Sequence, residues 1–572
     1  MALATLNGLL GPVFMLATGA LVQAVKDGAD VTAPLITVGL LFVVMRSVDP
    51  IRGELGTLLW PRVDEWVARR VMLATTRPPG LKEIESPEVQ DRIAQARGIF
   101  WGFTPGQAAA HLGDLWQFRM NSLASLAIVA WWYWWAALLL ASVYVACWLV
   151  ERNHYLDVTE VMWGRSEAMR RAFYIRTLGL SSRIAKETRI FDLARWLTDQ
   201  YRARSLAVLN EVWHKREEGW VRATLMFATI ALLELLVLRA IVLDAMSGRI
   251  ALGTAVAVAQ AVLSAGLLSR YEDDDSELTE AQRALDKVAE LEASTAAAVD
   301  TVGRRPADGM PRGSVRFEDV SFTYPGRATP VLHHFNLNIE VGRSLAIVGE
   351  NGAGKTTIVK LLTRLLEPTD GKITVDGVDL CELDPTSWHG RVSALFQDYA
   401  RFEMTAYDNV AFGALHAYDN ATAVERAAEQ AGVKRAIDRL PTGWQTTLSR
   451  EFRAGAELSG GEWQRLALAR GLFGVAAGAG ILILDEPTAS MDVRGEAEIY
   501  QQFIELTRGV TTIVISHRFS TVRRADRIVV VEHGRAIEDG SHAELLAKPG
   551  SRYAQMYQLQ ASRFEPLELE NA

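Results

Sequence analysis

At 572 residues the chain is too long for one hydrophobic core, so two or more domains are expected. A net charge of −8 argues against nucleic acid as a main partner, and two distant cysteines, Cys147 and Cys381, argue against a disulfide framework or a zinc site. The hydrophobic fraction of 49% fits a membrane part joined to a soluble part better than either alone.

The long apolar runs all lie before about residue 270. A membrane-spanning helix needs roughly 20 mostly apolar residues. Candidate spans are residues 8–25, 33–46 with its continuation, 123–150, 221–244 and 250–268. The third run is too long for one helix and contains Trp131, Trp132, Tyr133, Trp134 and Trp135. Indole and phenol rings favour the lipid–water boundary, so a tight turn is predicted there, which gives six spans. The first run is not read as a signal peptide, because its first basic residue is Lys26.

Residues 61–104 and 151–220 are long and basic, with Arg69, Arg70, Arg97, Arg170, Arg171, Arg183, Lys186 and Arg189. The positive-inside rule puts them, and both chain ends, in the cytoplasm. Amphipathic spacing predicts helices at 84–96 and 184–196, which are either solvated surface helices or short helices that pass motion to another domain. Residues 293–312 lack periodicity and read as a linker.

From residue 313 the pattern becomes that of an α/β protein. Residues 344–348 (SLAIV) form a buried-strand pattern that runs into Gly349-Glu350-Asn351-Gly352-Ala353-Gly354-Lys355-Thr356, followed by a predicted helix over 355–365. Strand, GxxxxGK[ST] and helix together make a phosphate cradle. Backbone amides at Gly349, Asn351, Gly352 and Gly354 can wrap phosphates, and the helix start adds partial positive charge, with Thr357 in its first turn. Lys355 can neutralise the β- and γ-phosphates, and the Thr356 hydroxyl suits Mg²⁺. A second buried strand, 481–484, ends in Asp485-Glu486, where a strand's carboxyl end faces the ligand crevice. Asp485 is placed to hold Mg²⁺ and Glu486 to act as general base toward water. Leu458-Ser459-Gly460-Gly461-Glu462 opens another helix and makes a second anion-binding N-terminus.

With these motifs in this order, the chain resembles the exporter-type half-transporters of the ABC family: six spans followed by a nucleotide-binding domain. The likeness is specific in the cassette and looser in the membrane half. It implies an all-α transmembrane domain over residues 1–292, a linker over 293–312, an α/β P-loop ATPase domain with a helical subdomain over 313–560, and a tail over 561–572. It further implies that Tyr324 stacks on adenine and that Gln397 senses Mg²⁺ and couples the two domains. Leu458 to Glu462 would contact ATP bound to the opposite subunit, Asp492 would sit in a dimer-contact loop, and His517 would touch the γ-phosphate. Taken singly, each residue has a local alternative, such as a core aromatic, a turn aspartate or a capping histidine. Glu462 and Met491 depart from commoner family residues without removing a catalytic group. The cofactors implied are ATP and Mg²⁺. The partners implied are a second half-transporter (homodimer favoured, heterodimer possible), the lipid bilayer and a small-molecule, peptide or lipid substrate. The expected location is a bacterial plasma membrane, with the ATPase domain in the cytoplasm. Family members usually carry an amphipathic segment before the first span, so the start is either truncated or lacks it in this branch.

The function the resemblance implies is ATP-driven export or flipping by alternating access. The alternatives are an importer with the exporter fold and a soluble ABC ATPase, the latter disfavoured by the apolar runs. Glu272, Asp273, Asp274, Asp275, Glu277 and Glu280 are expected on a continuous extension of the sixth span, where they would draw a cation or form a solvated surface. Glu234 and Arg239 are further polar candidates inside the fifth span.

Overall fold

The computed structural model describes residues 1–81, 84–96, 104–164, 166–269, 271, 273–300, 303–486, 509–516 and 518–561. It contains two compact units, Met1–Arg77 with Ile84–Ala296, and Pro78–Glu83 with Ala297–Ala572.

The first unit is helical: α1 (Ala2–Asp27), α2 (Thr32–Thr76), α3 (Pro87–Ala96), α4 (Pro105–Trp132), α5 (Trp134–Gly164), α6 (Ser166–Leu180), α7 (Ala185–Ile190), α8 (Leu193–Met246), α9 (Leu252–Ala265) and α10 (Asp273–Asp300). Among the described residues five helices are long and apolar enough to cross a membrane: α1, α2, α5, α8 and α9 with its continuation to Ser269. Of the other long helices, α4 carries His111, Asp114 and Arg119 between its start and its middle. Each of those polar groups has a partner: Glu277 at 2.6 Å for His111, Arg52 for Asp114 and Asp275 at 2.8 Å for Arg119. As expected, the long aromatic run breaks at Tyr133, between α4 and α5. Trp131 and Trp134 are exposed beside that break, while Tyr133 is buried and its hydroxyl donates to Asp244 at 3.0 Å.

The core of this unit joins α4, α5, α8 and α9 through residues such as Val129, Leu140, Val237, Val258 and Val262. Helices α1 and α9 cross closely because glycines face each other. A Cβ on Gly253 would lie 2.0 Å from the Gly19 carbonyl oxygen, so neither position accepts a side chain without moving a backbone.

Four expectations need correction. The segment 184–196 is not one helix: α7 stops at Ile190, Asp192 takes left-handed φ 48°, and α8 starts at Leu193. Its apolar Ile190, Phe191 and Trp196 stay exposed. The sixth span does not run straight into the acidic segment, because a 3₁₀ turn, Gly266–Ser269, separates α9 from α10. The expected linker from residue 293 begins as helix, since α10 continues to Asp300. Within the acidic cluster, Asp275, Glu277 and Glu280 are also already engaged by basic groups of the chain itself. Arg119 donates to both oxygens of Asp275, His111 pairs with Glu277, and Arg283 lies 3.8 Å from Glu280. Glu272 and the side chains of Asp273 and Asp274 lie outside the described residues.

The second unit holds two sheets. Strands β1 (Ser314–Phe322), β2 (Leu332–Glu340), β4 (Asp370–Val375) and β5 (Val378–Asp379) form an antiparallel sheet in the order β2-β1-β4-β5. Strands β3 (Ser344–Gly349), β6 (Val392–Leu395), β7 (Ile481–Asp485), β8 (Thr511–Ile515), β9 (Arg527–Glu532) and β10 (Arg535–Gly540) form the other, ordered β10-β9-β3-β8-β7-β6. Its pairs from β9 through β6 are parallel, and only β10 runs antiparallel. β7 and β8 are buried along their whole length, as a parallel sheet covered on both faces requires. Between β3 and β4 lies α11 (Lys355–Leu362), and α12 (Pro385–His389) precedes β6. A helical cluster follows: α13 (Ala406–Ala411), α14 (Ala421–Gln430), α15 (Lys434–Asp438) and α16 (Gly460–Ala476). Its core is built on Val410, Val424, Ile437, Trp463 and Phe473.

Candidate functional site

The parallel order β3-β8-β7 brings the carboxyl ends of β3 and β7 to one edge of the sheet, on either side of β8. Register confirms this: Ile515 pairs with Ile347 of β3 and also with Asp485 of β7. A crevice at the carboxyl edge of a parallel sheet is where α/β folds bind ligands.

The loop leaving β3 is shaped by its glycines. Gly352 and Gly354 adopt φ 83° and 102°, and a Cβ on Gly354 would lie 2.8 Å from the Leu332 side chain. Helix α11 then begins at Lys355, with Gly354 as its N-cap. Lys355 is buried, and its Nζ donates to the carbonyls of Gly349 (2.9 Å) and Glu350 (2.8 Å). Burial holds its pKa below the usual lysine value, against the opposing pull of Glu486 and Asp485. The Thr356 hydroxyl donates to Asp485 Oδ2 at 3.0 Å, which ties the start of α11 to the end of β7. Asn351 is exposed at the tip of the loop.

Asp485 is 1% exposed. Burial pushes its carboxyl up to about 6, and the neighbouring charges of Glu486 and Asp398 add to this. The Thr356 hydrogen bond and Lys355 pull the other way. Glu486 follows with φ 47°, a left-handed backbone that costs a non-glycine residue about 1–3 kcal/mol. Its N–H still donates to the Ile515 carbonyl at 2.9 Å, so the strained residue is held at the sheet edge. Just beyond β6, the Gln397 amide donates to Glu486 Oε2 at 2.8 Å. Sequence order gives no hint that these two, 89 positions apart, meet directly.

Tyr324 belongs beside this cradle. Its ring packs edge-on against Phe322 at 4.9 Å, and its hydroxyl lies 3.3 Å from Thr357 Oγ1 in the first turn of α11. The Leu458 to Glu462 segment sits at the start of α16, in the helical cluster. Leu458 is buried, and Ser459 and Glu462 form a reciprocal capping box. Backbone and side-chain bonds from Ser459 hold the Glu462 carboxyl below its usual range despite partial burial, and Arg439 helps at 3.2 Å. A Cβ on Gly460 or Gly461 would meet nothing within 4 Å. These glycines are therefore not required by the chain's own packing. They leave the amide end of a helix uncovered.

The structure thus brings together Tyr324, the loop Gly349 to Thr357, Gln397, Asp485 and Glu486, and puts Leu458 to Glu462 on the helical cluster. Asp492 and His517 lie outside the described residues. Two residues were not singled out from sequence. Asp398 adds negative charge near Asp485, and Arg552 pairs with Glu350 inside the loop. Asp398 follows Gln397 directly and so was findable, whereas Arg552 lies 202 positions from Glu350 with no motif around it. Among the described residues no group of three or more His, Cys, Asp or Glu side chains could hold a metal.

Residues 332–489 match the ABC transporter family. The chain is 42% identical over 253 residues to an ATP-dependent lipid A-core flippase of Chromohalobacter salexigens, and 40% identical over 264 residues to that of Thiobacillus denitrificans. These matches take in 44% and 46% of this chain but only 42% and 44% of the flippases' lengths. A longer match, 28% identical, covers 82% of the chain and 75% of the subtilin transport ATP-binding protein SpaT of Bacillus subtilis. The solved structure of a bacterial Atm1-family ABC exporter with ATP bound superposes with a TM-score of 0.75 at 25% identity, over 98% of this chain and 97% of that one. Motifs, site geometry and fold agree that the protein has the architecture of an exporter-type ABC half-transporter, apolar helices followed by an ABC ATPase cassette.

Proposed function

We propose that the protein hydrolyses ATP to drive an amphipathic compound, lipid or peptide outward across, or between the leaflets of, a bacterial plasma membrane. The observation that carries this reading is the convergence of Thr356 with Asp485 and of Gln397 with Glu486 at one sheet edge, in a chain whose other half is apolar helices. The named relatives are lipid A-core flippases, a subtilin transport protein and an exporter, which favours outward movement over import.

In this reading Lys355 exchanges the carbonyls of Gly349 and Glu350 for phosphate oxygens, while the amides of Gly349, Asn351, Gly352 and Gly354 wrap the phosphate chain. Tyr324 stacks on the adenine, beside Thr357. Thr356, Asp485 and Gln397 offer a hydroxyl, a carboxylate and an amide oxygen, the hard donors that suit Mg²⁺, and a carboxyl raised to about 6 by burial is one that a nearby cation would stabilise as the anion. Bound there, Mg²⁺ would neutralise charge on the phosphates. Glu486 polarises the attacking water, and Gln397 holds the carboxylate in place. The uncovered amides of Gly460 and Gly461, with Leu458, Ser459 and Glu462, meet the nucleotide of a second copy. Asp492 and His517 complete that dimeric site, which favours a homodimer. The exposed Ile190 and Phe191 at the end of α7, together with α3, pass cassette motion to the spans.

The test uses purified protein in liposomes. Glu486→Gln should lower ATP turnover by about 10²–10⁴-fold while ATP still binds, and should stop substrate movement with it. Parental turnover in that variant, or parent protein that stays in solution without detergent, overturns the proposal.

A further inference from the structure

The last described helix, Arg552–Ala561, touches the phosphate loop and has no part in the proposed hydrolysis. Its first residue reaches two acids. Arg552 Nη2 pairs with the Glu350 carboxylate in the loop, and Nε lies 3.0 Å from Glu532 at the end of β9. Glu350 is thereby held from two sides, by Arg552 at its side chain and by Lys355 Nζ at its carbonyl, 2.8 Å away. The lysine contact has to be given up when Lys355 turns to phosphate, whereas the arginine contact can persist.

The helix that supplies Arg552 is firmly seated. At its N-terminus the buried Glu538 accepts from the Ser551 hydroxyl (3.0 Å) and from the N–H groups of Arg552 (2.9 Å) and Tyr553 (3.0 Å). Tyr553, Met556 and Tyr557 pack with Ala346 and Val348 of β3 and Val530 of β9. Phe519, two residues after His517 in the chain, packs edge-on against Tyr553 (5.2 Å) and Tyr557 (5.5 Å), and its N–H donates to Gln560 at 3.0 Å. A mobile surface arginine gains little from an ion pair, but one rooted in a capped and packed helix loses less freedom on pairing.

We propose that Arg552 is a positioning residue which, acting through Glu350, holds the phosphate loop in its nucleotide-accepting shape and so sets ATP affinity. The inference rests on reading that loop as an ATP site, but not on Glu486 as base, and its test reads binding rather than turnover. Binding of a fluorescent ATP analogue to the full chain in detergent is measured for the parent, Arg552→Ala, Glu350→Gln, the double variant and Arg552→Lys. Loss of a partly exposed ion pair predicts a Kd raised about threefold to fivefold in each single variant. The double variant should bind no more weakly than either single one, because both remove the same contact. Arg552→Lys should recover part of the affinity, and the melting temperature of every variant should stay near the parent's. Arg552 is 32% exposed at its side chain, so its removal opens no core cavity. An unchanged Kd in Arg552→Ala, or effects that simply add in the double variant, overturns the proposal. Turnover of Glu486→Gln is scored separately, so failure of the catalytic reading and failure of this one give different results.

Discussion

The cassette and the helical half obey different rules of legibility. In the cassette, the candidate site residues sit at strand ends and in one short loop, where backbone shape and residue type are set within a dozen consecutive positions. A carboxylate at the end of β7 or a glycine at φ 102° has few alternatives. In the helical half, hydropathy declares that a helix crosses lipid but not which polar groups meet inside. Arg119 and Asp275 are 156 positions apart, yet one guanidinium nitrogen donates to both carboxylate oxygens. Glu234, in the C-terminal third of α8, accepts from Tyr144 of α5 at 2.8 Å. The lesson is that local chemistry can be read from local sequence, whereas charges in an apolar bundle are chosen by partners that only the fold reveals.

The strongest way to break this comparison is to strand one charge in the helical half. Arg119 also donates to the Leu268 carbonyl in the 3₁₀ turn after α9, so it ties α4 to the break before α10. The Asp275 side chain is only 10% exposed. Arg119→Met should therefore cost about 3–5 kcal/mol, the penalty for leaving a buried charge unpaired. Thermal unfolding in detergent reads this as a large drop in midpoint. Arg119→Met with Asp275→Leu should recover much of it, since replacing both partners leaves no orphan. A loss below about 1 kcal/mol in the single variant would mean that the pair behaves as a surface contact, and that the fold does not dictate the partners of charges in the bundle.

The misreadings also follow from locality. The turn at Tyr133 was legible because five adjacent aromatic residues cannot all sit in hydrocarbon. The end of α7 was not legible: a left-handed Asp192 interrupts an amphipathic pattern that continues on both sides of it. Residues 293–300 lack periodicity but are rich in alanine, the best helix former, so α10 continues through them without an apolar stripe. The 3₁₀ turn at Gly266–Ser269 sits where the Glu234 carboxylate presses in, 2.6 Å from where a Gly266 Cβ would be, and no pattern within the sixth span reports a side chain from the fifth. In the cassette the loop, the two acids and Tyr324 were legible from motifs. The direct Gln397–Glu486 bond and the Arg552–Glu350 pair were not.

A smaller effect sharpens the comparison from the cassette side, where a buried acid has a purely structural task. Burial pushes the Glu538 carboxyl up, but its bonds from Tyr553, Arg552 and Ser551, with Lys548 nearby, outweigh this and leave it below the usual glutamate range. A depressed folded-state value means that the charged form is favoured by folding. The stabilisation is therefore full above the unfolded value near 4.5 and disappears as pH falls through the folded one. Glu538→Gln should cost about 1.5–3 kcal/mol at neutral pH, the worth of hydrogen bonds to a charged group. The gap between variant and parent melting temperatures should close on acidification. A gap that stays constant with pH would show that shape, not charge, is what the site needs.

The smallest change to the fold gives the sharpest contrast of all. Gly460 begins α16 without positive φ, and a Cβ there would meet nothing within 4 Å. Alanine loses less chain entropy than glycine on folding, so Gly460→Ala should leave stability unchanged or raise it by about 0.4–1 kcal/mol. If these amides close on the nucleotide of a second copy, however, the added methyl stands between helix start and phosphate, and ATP turnover should fall at least tenfold in the assembled protein. A stable variant with poor turnover would locate the demand for glycine outside the chain's own packing, in the partner's site. A stable variant with full turnover would mean that the open glycines serve neither the fold nor the nucleotide, and the reading of α16 as a phosphate-facing helix would have to be given up.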